Sequence, residues 1–132
     1  SDVYKRQVSS VSSPNDLVST KALFALSSEI SHFQPAYTAF ENLKGWDLLD
    51  QLLKTNFETS SGSPKKQARV LSLLYAITLN LPYNTIYDHL EELKVEKRLE
   101  NIKEDSLVVQ EKVTDILRTL KENPRSPVKL LA

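Results

Sequence analysis

Apolar residues recur along this chain at helical spacing, and the breaks between runs are prolines and short polar corners. In the stretch Lys21 to Phe33, Leu23, Leu26, Ile30 and Phe33 fall at i, i+3, i+7 and i+10. That spacing predicts a helix, with Ser19 or Thr20 as its cap. Pro35 breaks it and suits the first turn of the next helix, whose inner face is Tyr37, Phe40 and Leu43. Lys44-Gly45 turns the chain, and Trp46, Leu49, Leu52 and Leu53 mark a short third helix. The polar run Thr55 to Pro64 reads as a flexible loop. Lys65 to Asn80 is a second long helix with Val70, Leu73, Leu74 and Ile77 inward, broken by Pro82. Tyr83 to Leu93 and the short charged piece Lys94 to Lys103 follow. Asp105 or Ser106 caps a last helix that packs Leu107, Val109, Val113, Ile116, Leu117 and Leu120.

The pattern repeats. Pro35 placed on Pro82, 47 positions on, brings Leu23 onto Val70, Leu26 onto Leu73, Ile30 onto Ile77 and Phe40 onto Tyr87. A further 43 positions bring Leu73 onto Ile116, Ile77 onto Leu120 and Asn80 onto Asn123. A period in the forties with three helices per unit predicts an all-α fold, an armadillo-like right-handed solenoid of three-helix repeats. A plain bundle whose leucine spacing imitates a repeat is the competing arrangement. In the solenoid, residues 1–20 are the end of a preceding repeat and a serine-rich linker. Residues 21–123 are the repeats, with third helices near 21–33, 65–80 and 106–122, and residues 124–132 are a flexible basic tail.

Third helices line the concave groove of such a solenoid. At about 100° per residue, the side opposite Leu23, Leu26 and Ile30 carries Phe24, Ser28 and Ser31. The repeat carries these to Leu71, Tyr75 and Thr78, then to Thr114, Arg118 and Lys121. Phe24, Ser28, Ser31, Leu71, Tyr75, Thr78, Arg118 and Lys121 are therefore the candidate partner-binding residues, because aligned exposed apolar groups mark contact surfaces. The competing reading is packing under a flanking helix. Leu26, Ile30, Leu73 and Ile77 are expected in the core.

Composition narrows the chemistry. The chain has 132 residues, with 17 Lys plus Arg against 17 Asp plus Glu, and so lacks the basic footprint of a nucleic-acid binder. No apolar run is long enough to span a membrane. There is no cysteine, hence no disulfide or thiolate metal site. Two isolated glycines permit no phosphate loop, dinucleotide fingerprint or nucleophile elbow. His32 and His89 stand far apart; His89 with Glu92 at i+3 reads as a solvated helix face, not a metal site. Trp46 at its corner reads as a buried staple between units. No catalytic residues, metal or cofactor are expected, and binding is the function this composition points to. The start at Ser1, without an initiator methionine, is that expected of a fragment or a processed chain.

The stretch ALFALSSEISHFQPAYTAFENLKGWDLL, Ala22 to Leu49, resembles one armadillo subgroup, the nucleotide exchange factors of seventy-kilodalton heat-shock chaperones. ARVLSLLYAI, Ala68 to Ile77, is similar to the next repeat of that group. The resemblance covers roughly Thr20 to Leu120. It is nearest to the SIL-type branch acting on BiP in the endoplasmic reticulum lumen, with the cytosolic branch close behind. What it implies is a co-chaperone that binds the nucleotide-binding domain of its chaperone and promotes ADP release, with neither nucleic acid nor membrane insertion involved. An armadillo or HEAT-like adaptor for another protein is the alternative. In the lumen a retention tetrapeptide is expected, and VKLLA is not one. Two departures stand out. The glycine pair usual before the third helix is Lys44-Gly45, and the next unit has only Leu93-Lys94. Peptide-binding armadillo proteins such as importin alpha carry Trp and Asn where this chain has Phe24-Ser28 and then Leu71-Tyr75, so a ladder for an extended peptide is missing.

Overall fold

The computed structural model describes residues 2–81, 84–103 and 105–125, and in these it is all helical. The elements are α1 (Asp2–Val11), α2 (Asp16–His32), α3 (Gln34–Asn42), α4 (Gly45–Leu53), a π-helical turn (Lys54–Glu58), α5 (Pro64–Thr78), α6 (Asn84–Glu92), α7 (Val95–Glu100) and α8 (Leu107–Glu122). They stack as a helical-repeat solenoid. One unit is α3, α4 and α5, the next is α6, α7 and α8, and α1 and α2 precede them.

The long helices α2, α5 and α8 lie side by side, with α5 packed between the other two. At one end of the α2–α5 pair, Lys66 Nζ reaches Asp16 Oδ1 at 3.4 Å and Ser19 Oγ at 2.7 Å. At the other, Asn80 Nδ2 donates to the Ile30 carbonyl at 3.2 Å. Both helices therefore run in the same direction. Leu26, Ile30, Leu73 and Ile77 are completely buried, as periodicity predicts, in one core that runs from Val11 to Leu120.

Local chemistry sets the starts. α2 begins at Asp16, five residues before the predicted start, because Asn15 accepts from the Val18 amide at 3.1 Å. The expected caps do other work. Ser19 donates to the Val11 carbonyl and Thr20 to the Asp16 carbonyl, so both lie inside the helix. Ser63 and Ser106 cap α5 and α8 by the same Oγ-to-amide bond, with Pro64 in the first turn of α5. The predicted flexible loop from Thr55 to Pro64 is instead an ordered turn built on buried Asn56. Asn56 Nδ2 donates to the Leu52 carbonyl at 2.9 Å. Its own carbonyl accepts from the Gly62 amide and from Gln67 Nε2, each at 3.0 Å. A Cβ at Gly62 would collide with Asn56 Oδ1, so this close approach requires glycine.

The repeat holds with one change of register. Asn80 and Asn123 each donate Nδ2 to the carbonyl four residues back, Ala76 and Thr119, in keeping with the 43-residue step. From α2 to α5 the step is 47, whereas from α3 to α6 and from α4 to α7 it is 50. Gln34 and Asn84 open α3 and α6, and Gly45 and Val95 open α4 and α7. Tyr87 therefore matches Tyr37, and Phe40 matches Leu90, which corrects the ungapped pairing of Phe40 with Tyr87. The α2–α3 corner is the single residue Phe33, while α5 ends at Thr78 and α6 begins only at Asn84. Pro82, the anchor of the ungapped alignment, and Tyr83 lie outside the described residues. The left-handed turn before α4 and α7 is made by lysine both times, Lys44 at φ 61° and Lys94 at φ 54°.

Arg98 of α7 bolts the second unit to the first. Its Nη1 meets Asp50 Oδ1 at 2.8 Å, and its Nε and Nη2 meet the two Glu58 oxygens at 2.8 and 3.1 Å. Burial alone would raise the Asp50 carboxyl pKa, but hydrogen bonds from Arg98 and Lys54 outweigh it and hold the pKa below its ordinary 3.8. A lowered carboxyl contributes stability that is complete above its ordinary value and is lost as pH falls through the lowered one. The wild type should thus lose melting temperature below about pH 4 more steeply than Asp50→Asn. Parallel pH profiles in thermal melts that record circular dichroism would refute the linkage.

Candidate partner-binding groove

The residues predicted to form the binding stripe do not all reach the surface. Phe24 is 56% exposed, Ser28 is exposed and Tyr75 is 37% exposed. Arg118 is exposed and pairs with Asp115 at 3.2 Å. Ser31 is half-buried, and its hydroxyl is committed to the Ser27 carbonyl at 2.8 Å. Leu71 and Thr78 are corrections: they are 0% and 2% exposed, and Thr78 donates to the Tyr75 carbonyl at 2.6 Å. Lys121 is exposed but lines a separate cavity of about 580 Å³ with Tyr87, Leu90, Val95 and Leu120, among α6, α7 and α8.

Helix geometry explains the sorting. In α5, Leu71 and Thr78 lie about 40° and 60° round from Tyr75. Because α5 is packed on both flanks, only a narrow arc remains open, and it runs through Lys65, Ala68, Ser72, Tyr75 and Leu79. The matching open arc of α2 is Val18, Lys21, Ala25, Ser28 and His32, and that of α8 is Val108, Glu111, Asp115, Arg118 and Glu122. The central line of the surface is Ser28, Tyr75 and Arg118. The other predicted positions lie on helix flanks, which are closed at Leu71 and Thr78. At Phe24 the flank stays open, and the Arg69 guanidinium lies 4.6 Å from the ring centroid.

The surface has an aromatic and apolar middle. Besides Phe24 and Tyr75, it includes Leu79, exposed at the end of α5, and the exposed Phe33 stands at the α2–α3 corner. α2 and α5 contribute Lys21, Lys65 and Arg69, whereas the open arc of α8 carries Glu111, Asp115 and Glu122 around Arg118. Aromatic residues and arginine surrounded by a charged rim are the composition of a protein contact patch. Phe33, Leu79, Lys65 and Arg69 are missing from the sequence-derived stripe. Phe33 and Leu79 end their helices, where angular averaging loses its meaning, and Arg69 owes its place to a residue 45 positions away in sequence.

The opposite side of the units carries polar groups that are already engaged. Trp46 Nε1 donates to Tyr37 Oη at 3.2 Å, and Tyr37 donates to Glu41 Oε2 at 2.8 Å. Burial, together with Glu41, raises the Tyr37 pKa far above the usual tyrosine range, so this hydroxyl is a fixed neutral donor. His89 stacks on Trp46 at 4.8 Å and 16°. Its Nε2 lies 3.5 Å from Glu41 Oε2. Trp46 is buried between units, as predicted, and the stack joins residues of different repeats that no local pattern connects. Among the described residues no group of three or more His, Asp or Glu could hold a metal, and no helix is long and apolar enough to cross a membrane.

No family model matches this chain, and no solved structure matches it. It is similar to a curated protein, the Hsp70 nucleotide exchange factor FES1 of Candida albicans, with 38% identity over 88 residues. The match covers 66% of this chain and 28% of that protein's length.

Proposed function

We propose that this chain is part of a nucleotide exchange factor for a seventy-kilodalton heat-shock chaperone, with the open faces of α2, α5 and α8 as its contact surface. The similarity to an Hsp70 nucleotide exchange factor carries the reading. The groove supports it with exposed Phe24 and Tyr75 and with Arg69 stacked on Phe24. The partner is the chaperone's nucleotide-binding domain. A rigid solenoid that binds the open arrangement of that domain more tightly than the closed one shifts the population towards the open state, and ADP leaves faster. This needs no reacting group in the solenoid, so the chain acts by binding and not as an enzyme. The SIL-type resemblance favours a BiP-like chaperone and the endoplasmic reticulum lumen; the alternative is the cytosolic form.

The test is release of a fluorescent ADP analogue from the chaperone domain, with a pull-down alongside. The protein is expected to accelerate release. Phe24→Ala with Tyr75→Ala should weaken the complex roughly tenfold or more, leaving the circular dichroism melt within about 1 kcal/mol of wild type. Binding without accelerated release would make the chain an adaptor, and no binding to any such domain would refute the proposal.

A further inference from the structure

Between the N-terminal halves of α5 and α8 lies an open hollow of about 310 Å³. Lys65, Arg69 and Lys112 line it, with the hydroxyl-bearing Ser72 and Ser106 and apolar Val108 beside them, and no carboxylate is in its lining. Where cations approach one another elsewhere, carboxylates stand among them: Lys54 and Arg98 share Asp50, Arg98 also has Glu58, and Arg125 has Asp88 and Glu91. Among the described residues, no ion pair joins Lys65, Arg69 or Lys112 to a carboxylate, and the Arg69 guanidinium lies over the Phe24 ring. In a chain of zero formal net charge, three such cations have been gathered round one depression. Lys65 and Arg69 are four apart on one helix, a like-charge spacing that costs helix stability. The N-terminal ends of α5 and α8 add positive potential from the same side.

We propose that this hollow receives an acidic segment of a protein partner, its paired carboxylates reaching the three cations and the two serine hydroxyls. The hollow adjoins the same open row as Tyr75, and exposed Val108 and the Arg69-bound Phe24 flank it. An acidic group carried on a folded, partly apolar surface fits those neighbours. A nucleic acid would need a longer basic track than this neutral chain provides. The inference rests on the contact-surface reading above and adds the chemistry of what docks there.

The isotope-labelled protein, titrated at low salt with a hexaglutamate peptide and separately with inorganic phosphate, gives the direct test by amide chemical shifts. Saturable shifts at Lys65, Ser72, Ser106 and Lys112 are expected with the peptide. The double variant Lys65→Gln with Lys112→Gln should weaken them roughly tenfold. Shifts that are absent, lie elsewhere or survive in the double variant overturn the site. Phosphate binding there more tightly than the peptide overturns the assignment to a protein segment. With the chaperone nucleotide-binding domain as second probe, the double variant should weaken binding and flatten its salt dependence, while Lys103→Gln leaves both unchanged. If the wild type fails to bind that domain while the peptide still titrates, the chaperone reading falls and the acidic-segment site stands. If the domain binds equally to wild type and double variant, the reverse holds.

Discussion

Gly45→Val is expected to destabilise the protein by about 3 kcal/mol in urea unfolding, near the upper end for overpacking a closed core. The reason is space, since Gly45 sits in the first turn of α4 with an ordinary helical backbone, and the left-handed residue of that turn is Lys44. A Cβ added at Gly45 would stand within 2.5 Å of Cδ1 and Cε1 of Phe40, distances at which the ring must move. Phe40 is completely buried and has little room, with Tyr37 and Trp46 each at a centroid distance of 6.4 Å. The second unit shows how the repeat escapes this conflict. Its counterpart of Phe40 is the smaller Leu90, and its counterpart of Gly45 is the fully buried Val95. Phe and Gly in one unit, Leu and Val in the next, are two solutions to one packing problem. Phe40→Leu with Gly45→Val should therefore cost less than the sum of the single variants, with a coupling of about 1–2 kcal/mol. Additive costs would show that the ring is not what excludes a side chain at position 45.

This pair also shows which features were legible in the sequence. Lys44-Gly45 marks a turn, and the absence of glycine at Leu93-Lys94 reads as a unit drifting towards a terminal, capping character. Both units in fact make the same left-handed lysine turn, and the glycine answers to a phenylalanine five residues earlier. The repeat itself was readable because burial in a helix imposes the same period on Leu23, Leu26 and Ile30 as on Val70, Leu73 and Ile77. The slip from a 47- to a 50-residue step was not, because the sequence between Thr78 and Asn84 carries no apolar period that would show the extra residues. Nor was the ordered turn after α4. A serine- and threonine-rich run signals a loop, whereas here Asn56 supplies internal partners for Gln67 and Gly62.

Leu71→Ala and Tyr75→Ala, one helical turn apart in α5, are expected to behave in opposite ways. Leu71→Ala should cost about 2–5 kcal/mol of stability, the range for a leucine deleted from a closed core. Tyr75→Ala should cost under about 1 kcal/mol while weakening partner binding. Sequence angles place the two residues on one exposed stripe, and by that reading both variants would be stable and impaired in binding. The structure separates them because α5 is flanked by α2 and α8. Of the arc opposite Val70, Leu73 and Ile77, only the part from Tyr75 to Lys65 remains open. At Leu71 the side chain is wholly enclosed, so its loss leaves a cavity. At the equivalent position of the preceding unit, Phe24 is more than half exposed, with Arg69 over its ring. Equal stability of Leu71→Ala and wild type in urea unfolding would mean that α8 does not close over α5, and Leu71 would return to the binding surface. A large loss for Leu71→Ala beside a small one for Tyr75→Ala fixes the edge of the groove between these two residues. The partner would then be read by Ser28, Tyr75 and Arg118 along the centre and by Phe24 with Arg69 on the open flank.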